Sequence, residues 1–216
     1  MISRREYGDL LIAPLTEAHW RDFERLFGPR GACAGCWCMY LRTTGKRFDA
    51  NCAGGGAANR EAFRAVVGSG AQPGLLAWRR GEPMGWVAVA PREDYGRVLR
   101  SPVHKPLDEA APVYAITCFF IARGYRGQGV ADALLDAAVA FARARGAAVV
   151  EAYPLDVRDE RRPPADMWRG SLKQFERAGF SVAARRRPSR PIVRKMLQQG
   201  GTAGGGPSKP VRPTPR

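Results

Sequence analysis

The sequence predicts a single α/β domain, and three observations support this fold class. Short apolar runs of strand length alternate along the chain with segments whose apolar residues recur at helical spacing. Residues 75–90 contain two such runs on either side of a Gly- and Pro-containing turn, the pattern of a β-hairpin. A further run ends at Ile121 and leads through a glycine-rich turn into an amphipathic segment. The 216 residues suffice for one good-sized core, or for two small ones at most.

The first half of the chain is predicted to hold three strands and two helices. Residues 8–15 are predicted as the first strand, and the following helix has an apolar side made of Trp20, Phe23, Leu26 and Phe27. Residues 30–56 are predicted to be irregular, and Asn59 is predicted to cap a helix that runs to Val67. The hairpin strands follow at 75–78 and 84–90. Residues 91–112 are predicted as a long polar loop, and loops of that length are often functional.

The second half is predicted to alternate strands and helices. After the strand that ends at Ile121 come a helix over 130–145, a strand over 147–153, a helix over 171–178 and a last strand over 191–197. We therefore predict one domain over residues 1–198. The remaining residues, 199–216, are rich in Gly, Pro and basic side chains and are expected to be disordered.

The turn after Ile121 has the features of a phosphate-binding loop. A helix N-terminus offers unpaired backbone N–H groups and the positive end of a dipole. Glycines let the backbone approach an anion, and Arg126 adds a permanent cation. Neither G-x-G-x-x-G nor G-x-x-x-x-G-K is present, so the common nucleotide loops are not indicated. The residues alone leave two alternatives, a phosphate loop or a glycine turn that only connects a strand to a helix.

The six residues from Arg126 to Ala131 follow the pattern R-x-x-G-x-A directly after a strand. With the hairpin upstream and the segment SLKQFERAGF downstream, they resemble the coenzyme A pyrophosphate loop of the GNAT superfamily of acyl-CoA N-acyltransferases. The resemblance covers roughly residues 8–197 and is strongest over 113–180. It implies a mixed, mostly antiparallel, twisted sheet of about six to seven strands with about four helices, and a V-shaped splay between the fourth and fifth strands.

The resemblance implies an N-acetyltransferase that moves an acetyl group from acetyl-CoA to an amine by direct attack in a ternary complex. The acceptor would be a small-molecule or peptide amine, and no metal is expected. The backbone around Phe119, Phe120 and Ile121 would pair with the pantetheine arm and polarise the thioester carbonyl. The N–H groups of the loop would hold the pyrophosphate; these residues are Arg126, Gly127, Gln128, Gly129, Val130 and Ala131.

The proton chemistry is less well marked in the sequence. A lysine-type amine has a pKa near 10.4 and must lose a proton before it attacks, so a base or a water chain is needed. Glu151, in the fifth predicted strand near the splay, is the candidate base, and the alternative is a structural carboxylate. Many family members carry a tyrosine four residues before the Gly-Phe pair as the acid, and Phe175 stands here instead. Ser171, one turn earlier, is the candidate replacement.

Two departures from the family keep a second function open. Phe175 lacks a proton to donate, and Trp168 stands where the family usually has asparagine. A non-catalytic module that binds acyl-CoA as a sensor is therefore the alternative to an enzyme.

A cysteine-rich segment, 33–40, is the second unusual feature. Trp37, Met39 and Tyr40 are candidate substrate-site residues because a Trp-Met-Tyr cluster makes an apolar pocket with one hydroxyl. Plain core packing is the alternative for these three. The nearby cysteines could supply four thiolates to zinc, although the sequence has no second C-x-x-C pair and no nearby histidine; they are Cys33, Cys36, Cys38 and Cys52.

The net charge of +15 raises the question of nucleic-acid binding. Arginine-rich surfaces without base-stacking aromatics are usually solvated, so we expect no nucleic-acid partner, and part of the charge suits an anionic substrate such as coenzyme A. No apolar run approaches the roughly 20 residues needed to cross a bilayer, and the N-terminus lacks a signal-peptide pattern. A cytoplasmic protein without a membrane partner is expected, with a homodimer as a further state to be tested.

Overall fold

The computed structural model describes residues 5–107, 112–157, 162–163 and 166–197. Within these residues the chain forms one eight-stranded sheet in the order β1-β2-β3-β4-β5-β6-β8-β7. The strands are β1 (Arg5–Tyr7), β2 (Leu10–Pro14), β3 (Gly74–Arg79), β4 (Glu82–Pro91), β5 (Val113–Ile121), β6 (Val149–Ala152), β7 (Ser181–Arg185) and β8 (Pro191–Met196). The helices are α1 (Trp20–Phe27), α2 (Gly45–Gly68), α3 (Gly96–Leu99), α4 (Val130–Ala144) and α5 (Leu172–Arg177).

The sheet confirms the predicted fold class. Every neighbouring pair of strands is antiparallel except β5 and β6, which are parallel and are connected through α4. Two strands were not predicted individually. β1 has only three residues, too few for a periodic signal in the sequence, and β7 is almost wholly exposed, so it lacks the alternation of buried and exposed residues that marks a half-buried strand.

Helices cover both faces of the sheet. On one face α4 and α5 pack on the core with residues such as Leu134, Leu135 and Phe175. On the other face α1 and α2 pack on the tryptophan-rich core around Phe23 and Trp86. Residues within each cluster are buried at helical spacing on the helices and at alternate positions on the strands, so the hydrophobic pattern of the sequence accounts for this layering.

The parallel pair separates halfway along β5. Its register with β6 ends at Ile116 opposite Ala152, whereas β5 stays paired with β4 as far as Ile121. Thr117 is the extra residue of a β-bulge at this point, because Cys118 and Ile116 are opposite consecutive residues of β4. Residues 117–121 therefore have a strand on one side only. This is the splay that was predicted between the fourth and fifth strands of the sequence.

The region between the first two predicted helices is more regular than expected. Residues 45–52 were predicted to be irregular, but they belong to α2, which is interrupted by non-helical residues at 53–56. Asn59 does not cap this helix. Its side chain is fully buried, and its amide donates to the carbonyl of Gly35 at 2.9 Å. The predicted loop 91–112 also contains structure, because β4 extends to Pro91 and α3 follows; residues 108–111 of this loop lie outside the described residues.

The search for membrane spans gives a negative result for the part of the chain that the structure describes. None of its helices combines the length and the apolar character needed to cross a bilayer.

Candidate functional site

The turn between β5 and α4 has the geometry of an anion cradle. Gly127 and Gly129 have φ values of +75° and +76°, which glycine adopts without the cost that a Cβ would impose. A Cβ added at either glycine would meet no atom within 4 Å, so the space in front of the backbone is open. Among the described residues, no hydrogen bond starts from the backbone N–H groups of residues 127–131. With the positive end of α4 behind them, these groups fit a phosphate.

Hydrogen bonds from two side chains stabilise the conformation of the loop. The Arg126 guanidinium donates through Nε to the carbonyl of Ile121 at 3.0 Å, and Gln128 donates to the carbonyl of Gly124 at 2.9 Å. The oxygen of Gln128 accepts a bond from Arg79 at 2.7 Å. Arg126 is exposed, so its remaining donors can reach an anion on the loop. Val130 differs from the other loop residues in that its side chain belongs to the core, which leaves only its N–H for binding.

The open edge of β5 leads to this loop. Ala122 donates to Met84, and hydrogen-bonded positions alternate along an antiparallel pair, so the N–H groups of Phe119 and Ile121 face away from β4. They point into the space that β6 leaves when it diverges. An extended amide-containing chain could pair with this edge as an added strand does. The Phe119 ring packs against Phe175 with 6.1 Å between ring centroids, while Phe120 lies on the opposite face against Phe27.

Glu151 is held in a buried ionic network. Its side chain is fully buried, and one oxygen lies 2.7 Å from both Nε and Nη2 of Arg194 and 3.8 Å from Nη1 of Arg92. The other oxygen accepts a hydrogen bond of 2.6 Å from the Tyr153 hydroxyl. Both oxygens of the predicted base are therefore occupied. Burial is the first cause that raises the pKa of Tyr153 well above its ordinary value, followed by the charge of Glu151, so the phenol stays protonated.

The candidate acid Ser171, and Phe175 in the place of the family's tyrosine, both have structural partners. The Ser171 side-chain oxygen accepts the N–H of Gln174 at 3.2 Å and caps α5, as serine does at helix N-termini. Phe175 is fully buried between Phe119 and Phe180. Trp168 packs edge-on against Tyr40 at 5.5 Å. The acid role of Ser171 stays a prediction. Because its oxygen accepts the N–H of Gln174, its hydroxyl hydrogen is the group that would donate to a thiolate.

The candidate substrate residues separate into two groups. Trp37 and Met39 are buried in the core beneath α1, where Trp37 stacks on Phe27 at 5.9 Å. Tyr40 is half-buried and lies under the guanidinium of Arg97, 4.2 Å from the ring centroid, beside Trp168. Trp37 also borders a cavity of about 590 Å³ between α1 and the break in α2, away from the open edge of β5. Of the three, Tyr40 is the least buried, and it contacts Trp168, whose turn packs against β5.

The cysteines do not gather around a metal position. Within the described ranges, no three His, Cys, Asp or Glu residues are close enough to hold a metal ion. Cys33 is exposed, and burial is the main cause that raises the pKa of the Cys36 thiol to about 12. Cys38 accepts a hydrogen bond of 3.3 Å from the Trp86 indole and contacts Cys118 across the sheet face. Cys38 therefore belongs to the core between β5 and the segment before α2, and Cys118 packs against it.

Three buried arginines near Tyr95 and Tyr153 were not predicted from the sequence. Arg42, Arg92 and Arg169 are all at least nine-tenths buried as side chains or residues, on the face of the sheet that carries Tyr95 and Tyr153. Nothing in the local sequence separates them from the other basic residues, because 35 Lys and Arg are spread along the chain. The one available signal was position, since Arg169 directly follows Trp168, which aligns with a family site residue.

Comparison with known proteins identifies the fold and the family. An acetyltransferase of the GNAT family from Listeria monocytogenes has a TM-score of 0.54 at 10% identity, covering 90% of this chain and 100% of that one. Ard1 from Thermoplasma volcanium has a TM-score of 0.51 at 13% identity, covering 88% and 99%. The NatC complex bound to Gag peptide and CoA gives 0.51 at 12% identity, with the same coverage. At these identities the likeness is one of fold.

A comparison with curated protein sequences finds no match. The family model described as "Acetyltransferase (GNAT) family" matches residues 30–169, which is more than half of the chain and includes β5, the loop and α4. The chain therefore belongs to the GNAT family of acetyltransferases.

Proposed function

We propose that the protein is an N-acetyltransferase that moves an acetyl group from acetyl-CoA to an amine by direct attack in a ternary complex. One observation carries the proposal: the open edge of β5 leads into a row of unbonded N–H groups at the start of α4. A donor with an amide-containing arm and a pyrophosphate matches both features. The NatC complex, which shares this fold, is bound to CoA and a peptide.

Each part of the site would have a separate task. The N–H groups of residues 127–131 would bind the pyrophosphate, and those of Phe119 and Ile121 would pair with the pantetheine arm and polarise the thioester carbonyl. The acceptor would enter on the face of Tyr40 and Cys118. Buried arginines on that face disfavour a bound ammonium, which lowers the pKa of the acceptor amine and reduces the demand on a base.

The proposal assigns the base role to Glu151 and the acid role to Ser171 or water. Glu151 reaches the acceptor only through Tyr153 or water, because both of its oxygens are occupied by Tyr153 and Arg194. The departing thiolate needs an acid less than an alkoxide would, since a thiol has a pKa near 8.5. Ser171 or water is therefore enough where the family has tyrosine.

The test is a direct search for product. The protein is incubated with acetyl-CoA and a panel of small amines, amino acids and peptides, and acetylated products are sought by mass spectrometry. Binding of acetyl-CoA is measured separately by calorimetry. The proposal expects both binding and at least one acetylated amine. Absence of acetyl-CoA binding would contradict it.

A sensor that binds acyl-CoA without turnover is the second candidate. The observation that favours it is Phe175, which is buried in the core and has no proton to donate. Acetyl-CoA binding with no product from any acceptor in the panel would favour the sensor over the enzyme.

The proposal also covers the location, the partners and the domain bounds of the protein. We expect a cytoplasmic protein that acts on a small-molecule or peptide amine, with no nucleic-acid partner, and a homodimer is to be tested by light scattering. Residues 1–198 are proposed as the functional domain, with 199–216 as a tail that does not contribute to acetyl-CoA binding.

A further inference from the structure

Arg169 is a buried cation with unused hydrogen-bond donors. The residue is 7% exposed, and it lies in the short turn Met167–Arg169, which packs against β5. Its guanidinium is above the Trp168 ring at 4.3 Å. Among the described residues, its Nε and Nη1 atoms have no hydrogen-bond partner. A buried charge without a partner is costly, so an anion at this position would stabilise the protein.

The charges around Arg169 are of the same sign. Burial, and next the charge of Arg190, lower the pKa of Arg169 to about 10. The groups that oppose this shift are the weak acids Tyr40, Cys118 and Tyr153 rather than a carboxylate. Arg194, in contrast, is neutralised by Glu151 at 2.7 Å on the same face of the sheet. The network supplies a carboxylate to Arg194 and none, within the described residues, to Arg169.

Arg42 is a second arginine with spare donors. Its Nη1 atom lies 3.4 Å from Asp94, whereas Nε and Nη2 are buried and have no partner in the described part of the chain. Its guanidinium stacks on Tyr95, 4.7 Å from the ring centroid. Two arginines on one face of the sheet thus keep unused N–H donors, and charge-assisted hydrogen bonds from arginine to a carboxylate are among the stronger ones.

The two arginines act on the same pair of thiols at the splay. The pKa of Cys38 is lowered, mainly by the hydrogen bond from Cys118 and to a lesser degree by the charge of Arg42. The pKa of Cys118 is raised, first by that hydrogen bond and then by burial, and the charge of Arg169 opposes the rise. Cys118 directly follows the bulge at Thr117, where β6 diverges from β5. The positive charge is therefore next to the edge at which the proposed reaction takes place.

We propose that Arg169, assisted by Arg42, binds a carboxylate group carried by the acyl acceptor. The inference rests on the proposed acetyltransferase function and names its substrate class: amines that carry a carboxylate, such as amino acids or acidic peptides. The phosphates of the donor are not the partner, because the loop at α4 lies on the opposite face of the sheet from Tyr95, Tyr153 and Trp168. The positive surroundings also favour the neutral form of the acceptor amine, so one set of charges serves binding and deprotonation.

Matched acceptors test the proposal. Each amino acid is compared with its carboxamide, which keeps the amine and removes the negative charge. The carboxamide is the less basic amine, so its own chemistry favours it. With acetyl-CoA as donor we expect kcat/KM to be about 10- to 100-fold higher for the carboxylates, as for one charge-assisted hydrogen-bonded contact.

The variant Arg169→Gln should remove this preference: the kcat/KM of the carboxylates should fall about 10- to 100-fold further than the kcat/KM of the carboxamides. Arg187→Gln is the matched control, because Arg187 is exposed on the nearby turn between β7 and β8 and carries the same charge. Arg169→Lys keeps the charge without the fork and should retain part of the preference. Calorimetry of each acceptor with the CoA-saturated protein gives a second measurement that does not require turnover.

Each outcome has a defined consequence. Equal rates and equal binding for carboxylates and carboxamides would overturn the inference and leave the acetyltransferase proposal standing. Equal loss for both acceptors in Arg169→Gln would assign Arg169 to chemistry or structure and would also overturn it. A preference for succinyl-CoA over acetyl-CoA that depends on Arg169 would place the carboxylate on the acyl group, against the acceptor assignment. Failure of acetyl-CoA to bind the unmodified protein would overturn the proposed function, and this inference with it.

Discussion

At the scale of single residues, the Glu151 carboxylate fits two roles, that of a general base and that of a buried structural ion. Its place in β6, one residue before the pairing with β5 ends, is where the sequence predicted a base. Its contacts with Arg194, Arg92 and Tyr153 are those of a buried structural ion. The sequence carried no sign of these contacts, because the partners come from three other positions that only the sheet brings together.

Glu151→Gln separates the two roles. Removing one partner of a buried ion pair costs about 3–5 kcal/mol because the other charge is left uncompensated, so we expect a loss of that order in the free energy of unfolding measured in urea. Glu93→Gln, at an exposed position, is the control. If Glu151 is also the base, turnover falls and the acidic limb of the pH–rate profile disappears, while acetyl-CoA affinity changes little. A profile equal to that of the unmodified protein would exclude the base role.

His104 makes stability depend on pH. Burial is the first cause that lowers its pKa to about 3, and the charges of Arg169, Arg190 and Arg186 follow. An unfolded histidine has a pKa near 6.5, so between these values the unfolded chain binds a proton that the folded chain does not. The contribution of the neutral His104 to the free energy of unfolding is therefore complete above about pH 6.5. It is lost as the pH falls below that value, with a maximum slope of about 1.4 kcal/mol per pH unit.

The variant His104→Phe tests this sign. It keeps an aromatic ring against Tyr153, 5.1 Å away in the native protein, and removes the titrating group. The unfolding temperature should fall less between pH 7 and pH 5 in the variant than in the unmodified protein. An equal fall in both proteins would show that His104 does not carry the pH dependence.

At the scale of elements, the strand–turn–helix unit was the most predictable part of the protein. β5, the loop and α4 are contiguous in sequence, and each is specified locally by an apolar run, by glycines or by helical periodicity. Residues 30–56, which lead into α2 and include its first half, were the least predictable. Their conformation depends on Asn59 reaching Gly35 and on the close approach of Gly35 to Gly56, contacts between residues more than twenty positions apart. Such contacts leave no periodic signal.

The close approach of Gly35 and Gly56 gives a prediction for this segment. A Cβ at Gly56 would lie 2.3 Å from the carbonyl oxygen of Gly35, and φ is +82° there. Gly54 has φ +62° but open space around its Cβ direction, so Gly54→Ala is a control that carries the backbone strain alone. We expect Gly56→Ala to lower the free energy of unfolding by about 1–3 kcal/mol more than Gly54→Ala does. Equal losses in urea unfolding would contradict the packing described.

At the scale of the whole molecule, the proposed donor site and the proposed acceptor face lie on opposite sides of one sheet. The N-terminus of α4 and the edge of β5 serve the proposed donor, whereas Tyr40, Arg42 and Arg169 lie with the core on the other side. The family pattern in the sequence predicted the first half of this arrangement. The proposed acceptor face depends on buried charges whose neighbours are set by the order of the strands. It therefore could not be predicted from the sequence. Residues 199–216 stay a predicted tail.

The central claim is that the N-terminus of α4 binds the pyrophosphate of acetyl-CoA, and a pair of glycine variants tests it most directly. Gly129 and Gly146 mark the two ends of α4, have φ values of +76° and +77°, and both have open space at the Cβ position. Gly129→Glu would place a negative charge in the cradle, whereas Gly146→Glu carries the same strain and charge at the far end. Calorimetry should show acetyl-CoA binding abolished in Gly129→Glu and retained in Gly146→Glu. Equal affinities in the two variants would contradict the account.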